Sequence, residues 1–587
     1  MATATPIPAT NLANPTFKVI IGGMDIASKY GVASIMVSKR VNRIPVAEIV
    51  LYDGSTSDKK FELSEIADFK PGTEVTIKAG DENPKKIFTG IITRQSIKGG
   101  IQGNSTLTIE MRDKCVKMTI NRKNKYFKEA LDSAIISKIA SENGVSGTVD
   151  PTTVTHTEET VQYYCTDWDF VVSRAEANGM LVFAEDGKLN VKKPVFTVLP
   201  TSPTLTYGDN IVDFEAELDV RDDFGGVTAK DWDYSKQQVI EKKGKKPTAR
   251  QEGNLTEQTE SGVLGISDYH LQHAGKLLDG ELEAWATAKF LRSEMSKIQG
   301  RARINGTFDV KPGDMATLAG AGKTFNGPAF VSGVTQSYSS NSTWYTDIHF
   351  GYDQEWFYEK YENINDKPAA GLLPAVNGLV AGIVTDIVDQ QGGEFRVRVR
   401  IPLIDNGDKG VWARIVSADA GSARGILIRP EKDDEVILGF VNDDPRDPVI
   451  LGMLYSKKNK VAQKLTPSAD NKMKGWITKG GAEITINDKD QIIKVITKGK
   501  NSITIDDKKK SITLEDQNKN KLVMDDKGFL LDTPKDINLK AKGKINIEGT
   551  NNVTVKSNAQ LKATGTSGAE MSSSGQTVVK GSLLKLN

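Results

Sequence analysis

A chain of 587 residues and 63.9 kDa exceeds one ordinary folding unit and implies about three to five of them. Its 77 basic and 76 acidic side chains leave a formal charge of +1, which argues against the basic excess of a general nucleic-acid binder. Two Cys and four His argue against a disulfide scaffold, a multi-Cys zinc site and His-rich metal chemistry. No apolar run approaches the ~20 residues that span a bilayer. The 53 glycines point to a turn-rich, mainly β protein.

Residues 1–16 read as a flexible tail without the basic and apolar segments of a secretory signal. The region 17–125 reads as a first β-barrel, with strand patterns at 17–21, 74–78 and 106–111. Residues 126–204 read as a helical α/β segment, with helical periodicity at 126–141 and 167–178. Residues 205–365 read as a second β-barrel with a helix at about 280–298, where Leu282, Trp285, Ala286 and Phe290 share one face. The two barrels carry an echo. Lys70-Pro71-Gly72 before the strand at Glu74 and a second strand from Phe88 is matched by Lys311-Pro312-Gly313, Met315 and Phe330. A Pro-Gly step suits a type II turn. Such turns also recur by chance, but two matched blocks at nearly one offset favour duplication.

A linker at 366–374 leads to a compact β unit at 375–457, expected to be an OB-fold barrel. Around Phe395, Val397, Val399 and Ile401 alternate with Arg396, Arg398 and Arg400, the pattern of a half-buried strand. Its expected core is Val397, Val399, Trp412, Val436, Phe440 and Ile450. The arginines, with Arg414, read as a solvated face sooner than a phosphate track, because no aromatics interleave to stack bases.

After a second linker at 458–475, large aromatics nearly vanish and a fixed period begins. Apolar pairs recur every eight residues: Phe529/Leu531, Ile537/Leu539, Ile545/Ile547, Val553/Val555, Leu561/Ala563, Ala569/Met571 and Thr577/Val579. Looser pairs precede them at Ile484/Ile486, Ile503/Ile505, Ile512/Leu514 and Leu522/Met524. A spacing of two puts both members on one strand face, and a fixed short period means a repeat architecture. Two aliphatics contribute roughly 1.5–3 kcal/mol each when buried, whereas ordering eight backbones costs roughly 8–16 kcal/mol. One chain cannot offset that cost alone. The region 476–587 is therefore expected to be an intertwined trimeric β-helix, a prism whose core is Phe529, Leu531, Ile537, Leu539, Ile545, Ile547, Val553, Val555, Leu561, Met571 and Val579. The competing architecture is a single-chain solenoid, which has longer coils with more inward residues.

These residues resemble the VgrG-type spike proteins of contractile injection systems, which are similar to a phage baseplate hub fused to its cell-puncturing spike. The most specific match is Phe395-Arg396-Val397-Arg398-Val399, Trp412-Ala413-Arg414, Asp434-Glu435-Val436 and Asp443-Asp444-Pro445-Arg446-Asp447-Pro448-Val449-Ile450-Leu451-Gly452. A weaker one is Tyr163-Tyr164-Cys165-Thr166-Asp167-Trp168-Asp169-Phe170 followed by Glu176-Ala177-Asn178-Gly179. The resemblance implies a homotrimer whose six barrels make a pseudo-hexameric hub for a hexameric inner tube protein and baseplate proteins. It also implies a small PAAR-like tip protein at the C-terminal end. The short interval before the needle leaves no room for a lysozyme domain, and the octads running to Val579 leave none for a terminal toxin. No His follows His349, so no tip metal is expected.

Other chemistry is sparse. His270 and His273 are spaced for one helix face but lack a third ligand, and Cys115 and Cys165 read as buried thiols. The basic runs at 242–246 and 508–510 read as solvated loops. The sequence therefore points to a non-enzymatic structural spike without cofactor, metal or nucleic acid. It would be synthesised in the cytoplasm without a signal peptide and delivered or released in an injection particle, of phage-tail or type VI kind, that penetrates membranes only transiently. The alternative is a trimeric tailspike or adhesin that binds or cleaves surface glycans, which needs exposed aromatics and carboxylates along its shaft.

Overall fold

The structure, a computed structural model, describes residues 16–80, 83–100, 104–156, 160–199, 202–248, 264–340, 344–389 and 393–586. The chain forms two compact units, residues 1–376 with 442–445, and residues 377–441 with 446–587. The expected tail lies outside the described residues except for Thr16, which opens the first strand.

The first unit is built on a 13-stranded sheet. Its first half comprises β1 (Thr16–Ile21), β2 (Val32–Arg40), β3 (Val46–Tyr52), β4 (Glu74–Gly80), β5 (Lys85–Lys98) and β6 (Thr106–Arg112). The second comprises β7 (Thr204–Thr206), β8 (Ile211–Leu218), β9 (Ile298–Asn305), β10 (Met315–Ala319), β11 (Gly327–Ser339) and β12 (Tyr345–Phe350). The short strand Met24–Asp25 adds to β1. Strict alternation drives these strands: Ala47, Ile49 and Leu51 on β3, Val75 and Ile77 on β4, and Leu107, Ile109 and Met111 on β6 are fully buried in one cluster. The second half wraps its own cluster of Ala302, Ile304, Ala316, Leu318, Val331 and Ile348.

The two halves repeat in detail. The first runs β2-β3-β6-β5-β4-β1 and the second β8-β9-β12-β11-β10-β7. In the first, the Gly72 N–H donates to the Ile92 carbonyl at 2.8 Å and the Ile92 N–H to that of Thr73 at 2.9 Å. In the second, Gly313 donates to Val331 at 2.8 Å and Val331 to Asp314 at 2.9 Å. Gly72 and Gly313 sit at φ 96° and 93°, the positive φ that the third position of a type II turn requires. Bulges also coincide. Ala33 on β2 and Val212 on β8 are skipped in pairing with β3 and β9, and Thr93 on β5 and Ser332 on β11 in pairing with β6 and β12. One departure is that β1 runs antiparallel to β4 whereas β7 runs parallel to β10. The halves do not stand apart as separate barrels: β11 pairs antiparallel with β2 over Gly333–Arg40 to Ser339–Ser34, making one continuous sheet.

The helical layer holds α1 (Asp132–Glu142), α2 (Asp167–Ala177) and α3 (Asp279–Ser296). α1 starts later than the periodicity predicted. Tyr126 and Phe127 close the strand Arg122–Phe127, pairing across to Val161 and Thr160, because β-hairpin pairing overrides the local helical pattern. Thr166, not Asp167, caps α2 by accepting the Asp169 N–H at 3.1 Å. Leu282, Ala286 and Phe290 of α3 are buried together with Trp285 at the margin. His270 stands on the strand Tyr269–Gln272 and His273 just beyond it, so they do not share a helix face. Lys242 and Lys245 of the basic run pair with Asp279 and Glu283 at the start of α3, at 2.6 and 2.7 Å. Cys115 and Cys165 are buried free thiols, and burial raises the Cys165 thiol to about 11.

In the second unit β13 (Val380–Asp386), β14 (Val397–Arg400), β15 (Val411–Ile415), β16 (Glu435–Phe440) and β17 (Pro448–Met453) close a barrel in the order β13-β14-β15-β17-β16. β15 and β17 are its parallel pair. Val397, Val399, Val436 and Ile450 are buried in its core cluster, and Phe440 packs against it half-buried. Trp412 is a correction. Alternation on β15 turns Ala413 inward, so Trp412 lies half-buried off the cluster, with the Arg398 guanidinium over its ring at 5.7 Å.

Candidate functional site

The needle region begins as a seven-stranded antiparallel meander: β18 (Met473–Ile477), β19 (Glu483–Asn487), β20 (Ile492–Ile496), β21 (Ser502–Asp506), β22 (Ser511–Glu515), β23 (Lys521–Asp525) and β24 (Gly528–Asp532). Each five-residue strand is joined to the next by a tight turn with a residue at positive φ, as at Gln491, Lys500, Lys510 and Lys519.

Register lines the apolar residues into two columns. One runs Trp476, Ile484, Val495, Ile503, Leu514, Leu522 and Leu531, each opposite the next. The other runs Ile486, Ile493, Ile505, Ile512, Met524 and Phe529. Direct cross-strand pairs are the unit of sheet stabilisation. These columns nevertheless face outward: Ile503 is 45% exposed, while Thr485 on the opposite face is 9% exposed. Burial is inverted relative to the hydrophobic rule. A shallow groove of about 430 Å³ runs along the first column, lined by Val495, Ile503, Leu514, Leu522 and Leu531 together with the turn residues Thr497, Asn501, Asp516 and Asn520.

Among the described residues no strand extends beyond Asp532. The octads from Ile537 to Val579 lie outside any strand and are exposed, including Ile537, Leu539, Ile545, Ile547, Val553, Val555, Leu561 and Met571. The first expected octad, Phe529/Leu531, is still part of the in-chain meander on β24. The structure thus aligns the looser upstream pairs with the octads on one surface logic. It also adds Ile493/Val495 and Trp476, which the sequence reading passed over: the first pair stands nine and ten residues from its neighbours, and Trp476 has no apolar residue two positions away. Alternation within β20 was the signal available.

Two of the four OB arginines are committed locally. Arg396 pairs with Asp389 at 2.9 Å, and Arg398 donates to the Gly410 carbonyl at 3.0 Å.

The hub holds a second polar cluster with the ingredients of acid–base chemistry. His156 lies between Asp132 and Glu281, with Nε2 3.2 Å from Asp132 and Nδ1 3.2 Å from Glu281. Arg174 donates to both Asp132 oxygens at 2.8 Å, and Asn178 adds a third bond. Burial alone would raise Asp132, but the bonds from His156, Arg174 and Asn178 hold it well below the usual carboxylate range. Bonds to Asp132 and Glu281 raise His156 to about 9. The cluster ties α1, α2 and α3 together, with Asp132 and His156 buried and Arg174 and Glu281 at its solvent edge. Because the folded value exceeds the ordinary 6.5, its stabilisation is complete below pH 6.5 and disappears as pH rises through 9. The expected loss is on the order of 3 kcal/mol. Urea unfolding of the hub should therefore show a lower midpoint at pH 9.5 than at 6.5, and His156→Gln should remove most of that difference.

Comparison with known proteins now places these features. The closed barrel matches the type VI secretion system/phage-baseplate injector OB domain over residues 380–455. Over residues 11–340, more than half of its length, the chain matches the Alg8 N-terminal domain, and it belongs to that family. It is 22% identical over 442 residues to the type VI secretion system spike protein VgrG1b of Pseudomonas aeruginosa, covering 69% of this chain and 57% of the relative. It is 32% identical over 96 residues to the spike protein VgrG3 of Vibrio cholerae, covering 15% of this chain and 9% of that one. The chain thus spans little more than half the length of the curated relatives it matches, or less. Among solved structures, the 43 kDa tail protein of a Shewanella oneidensis prophage aligns with TM-score 0.43 and 13% identity, over 57% of this chain and 98% of that one. An E. coli type VI secretion component described as similar to phage tail proteins aligns with TM-score 0.37 and 13% identity, over 74% of this chain and 100% of that one. The expected likeness to VgrG-type spike proteins is borne out by the sequence relatives and the OB match. Among the described residues no helix is long and apolar enough to cross a membrane.

Proposed function

We propose that the chain is the structural puncturing spike of a contractile injection apparatus and works as a homotrimer without catalysing a reaction. The observation that carries this reading is the pair of outward-facing aliphatic columns on β18–β24, followed by octads that have no in-chain ladder. Buried against two sister chains, each aliphatic contributes roughly 1.5–3 kcal/mol, and every strand edge gains a partner. The remaining surface of Lys, Asn, Thr and Ser suits passage through an envelope better than residence in it. In this reading the duplicated hub meets a hexameric inner tube and baseplate proteins, and a PAAR-like protein caps the tip. The relatives named above are spikes of type VI secretion systems, which supports the assignment.

The tailspike alternative asks for exposed aromatics along the shaft. From Met473 onward only Trp476 and Phe529 are aromatic among the described residues, and both belong to the columns. Multi-angle light scattering of the full chain decides the point. A mass three times 63.9 kDa is expected, and a monomer at micromolar concentration overturns the reading.

A further inference from the structure

A cleft of about 630 Å³ lies where the ends of β2 and β6, the start of α2 and the segment after β12 meet. Arg40, Arg43, Arg112 and Arg122 line it, with a single carboxylate among the described residues, Asp169. Of the four arginines only Arg112 has an ion-pair partner among the described residues, Glu110 at 2.8 Å. Arg122 donates to the Tyr164, Asn363 and Ile364 carbonyls at 3.0, 2.6 and 2.5 Å. Arg40 meets a neutral base: His349 Nε2 lies 3.1 Å from its Nη2, and burial and Arg40 itself lower His349 to about 4. The Arg43 guanidinium lies over the Tyr361 ring at 4.7 Å. The Tyr361 hydroxyl, on a residue that also lines the cleft, is buried without a hydrogen-bond partner. Asp169 accepts the Thr166 hydroxyl at 2.7 Å, and burial raises its carboxyl above the ordinary value.

The backbone holds these cations in place. The Arg43 N–H donates to the Arg40 carbonyl at 3.3 Å, closing a turn with the two arginines at its ends. Asn42 inside that turn sits at φ 57° and is buried. Its side chain donates to Glu176 and Tyr352 at 2.8 and 2.7 Å and accepts the Val182 N–H at 2.7 Å. Across the β11–β2 pairing, Gly333 leaves the space that the Arg40 stem fills, because a Cβ there would come within 2.8 Å of Arg40 Cγ. Like charges so held repel one another, and burial and the neighbouring Arg43 lower Arg40 from its ordinary value. Guanidinium forks match phosphate oxygens two at a time. The cleft also falls within the roughly 300–1,000 Å³ of small-ligand sites. We propose that Arg40 and Arg43 clasp a phosphate group of a small ligand in this cleft, with Arg122 adding positive charge from its wall. The charges line a recess, which a small anion enters more readily than a broad acidic protein face. The assignment does not depend on the threefold reading of the shaft.

The test is isothermal titration calorimetry of the full chain with inorganic phosphate, pyrophosphate and adenosine diphosphate. Saturable binding of at least one of them, at one site per chain, is expected. Arg40→Gln and Arg43→Gln should each weaken it about tenfold or more, since each removes a charge-assisted bond. Arg43→Lys keeps the charge without the fork and should weaken it less than Arg43→Gln. Arg424→Gln, which breaks an exposed pair with Asp419 in the second unit, is the control and should bind as the unchanged chain does. Equal affinity for pyrophosphate and the nucleotide supports a site that reads phosphate alone. Tighter nucleotide binding supports one that also takes the base. Melting without ligand gives a second reading. The two glutamine variants should unfold at the same temperature or higher, because like charges are removed. Three results overturn the proposal: no saturable binding of any of the three probes, binding that survives in the double glutamine variant, or binding of a glutamate-rich peptide without that of any phosphate.

Discussion

Replacing Ile545 by Asp is expected to abolish the trimer and leave either monomer or insoluble protein. Ile545 opens an octad in the stretch that has no in-chain ladder, and its side chain is 53% exposed in the lone chain. Around a threefold axis the substitution brings three carboxylates together in an apolar core. An uncompensated buried charge costs about 3–5 kcal/mol, and here each carboxylate also faces two others. Two controls set the scale. Ile545→Val removes one methylene per chain, costs about 0.5–1.5 kcal/mol per site, and should still trimerise. Lys544→Asp, on the other face of the strand, should stay within about 0.5 kcal/mol. Sedimentation velocity on the three proteins reads the result. A soluble Ile545→Asp trimer would show that the stripe does not face the axis.

The second large effect is expected in the hub. The Arg292 guanidinium on α3 meets the Glu176 carboxylate on α2 at 2.6 Å, with both side chains almost wholly buried. Glu176 also accepts from Asn42, Tyr352 and the Phe357 N–H. Arg292 in turn donates to the Asp353 and Glu355 carbonyls and lies over the rings of Tyr352 and Trp356. This one carboxylate therefore joins the loop after β2, α2, α3 and the segment after β12. Glu176→Ala should destabilise the first unit by about 3–5 kcal/mol, because it leaves Arg292 buried without its anion. The double change Glu176→Leu with Arg292→Met should cost less than the two single changes together, since it removes both charges. Urea midpoints of Glu176→Ala, Glu176→Leu, Arg292→Met and the double variant measure this.

How much of this was legible depended on range. The needle pairs declare themselves because strand alternation has period two and the octads keep strict spacing, so a repeat is legible at Ile545 and Ile547 from the sequence alone. Ile493/Val495 escaped because the hairpin turns vary in length. Val397 and Val399 were legible for the same reason as the octads, whereas Trp412 was misplaced by size: a large aromatic was taken as core although alternation gives that place to Ala413. The hub duplication was visible only at the Lys-Pro-Gly turns, where glycine is required at positive φ. The bulges at Ala33 and Val212 carry no residue signature, since a bulge is a property of pairing. The Glu176 network was hidden entirely, because every partner of that carboxylate lies more than a hundred residues from it in the chain.

The change at Asp532 from in-chain hairpins to strands without an in-chain ladder has a consequence for biogenesis. Hairpins of local contact order close in microseconds, so β18–β24 can take shape while each polypeptide is still being made. On the threefold reading proposed above, the octads must wait for two companions. Assembly of the shaft should then proceed as a zipper, begun at three preformed meanders that fix the stagger and propagating toward the carboxy terminus. Nascent chains released far apart would carry a sticky, unwound tail, so neighbouring ribosomes on one message would be the natural setting for correct winding.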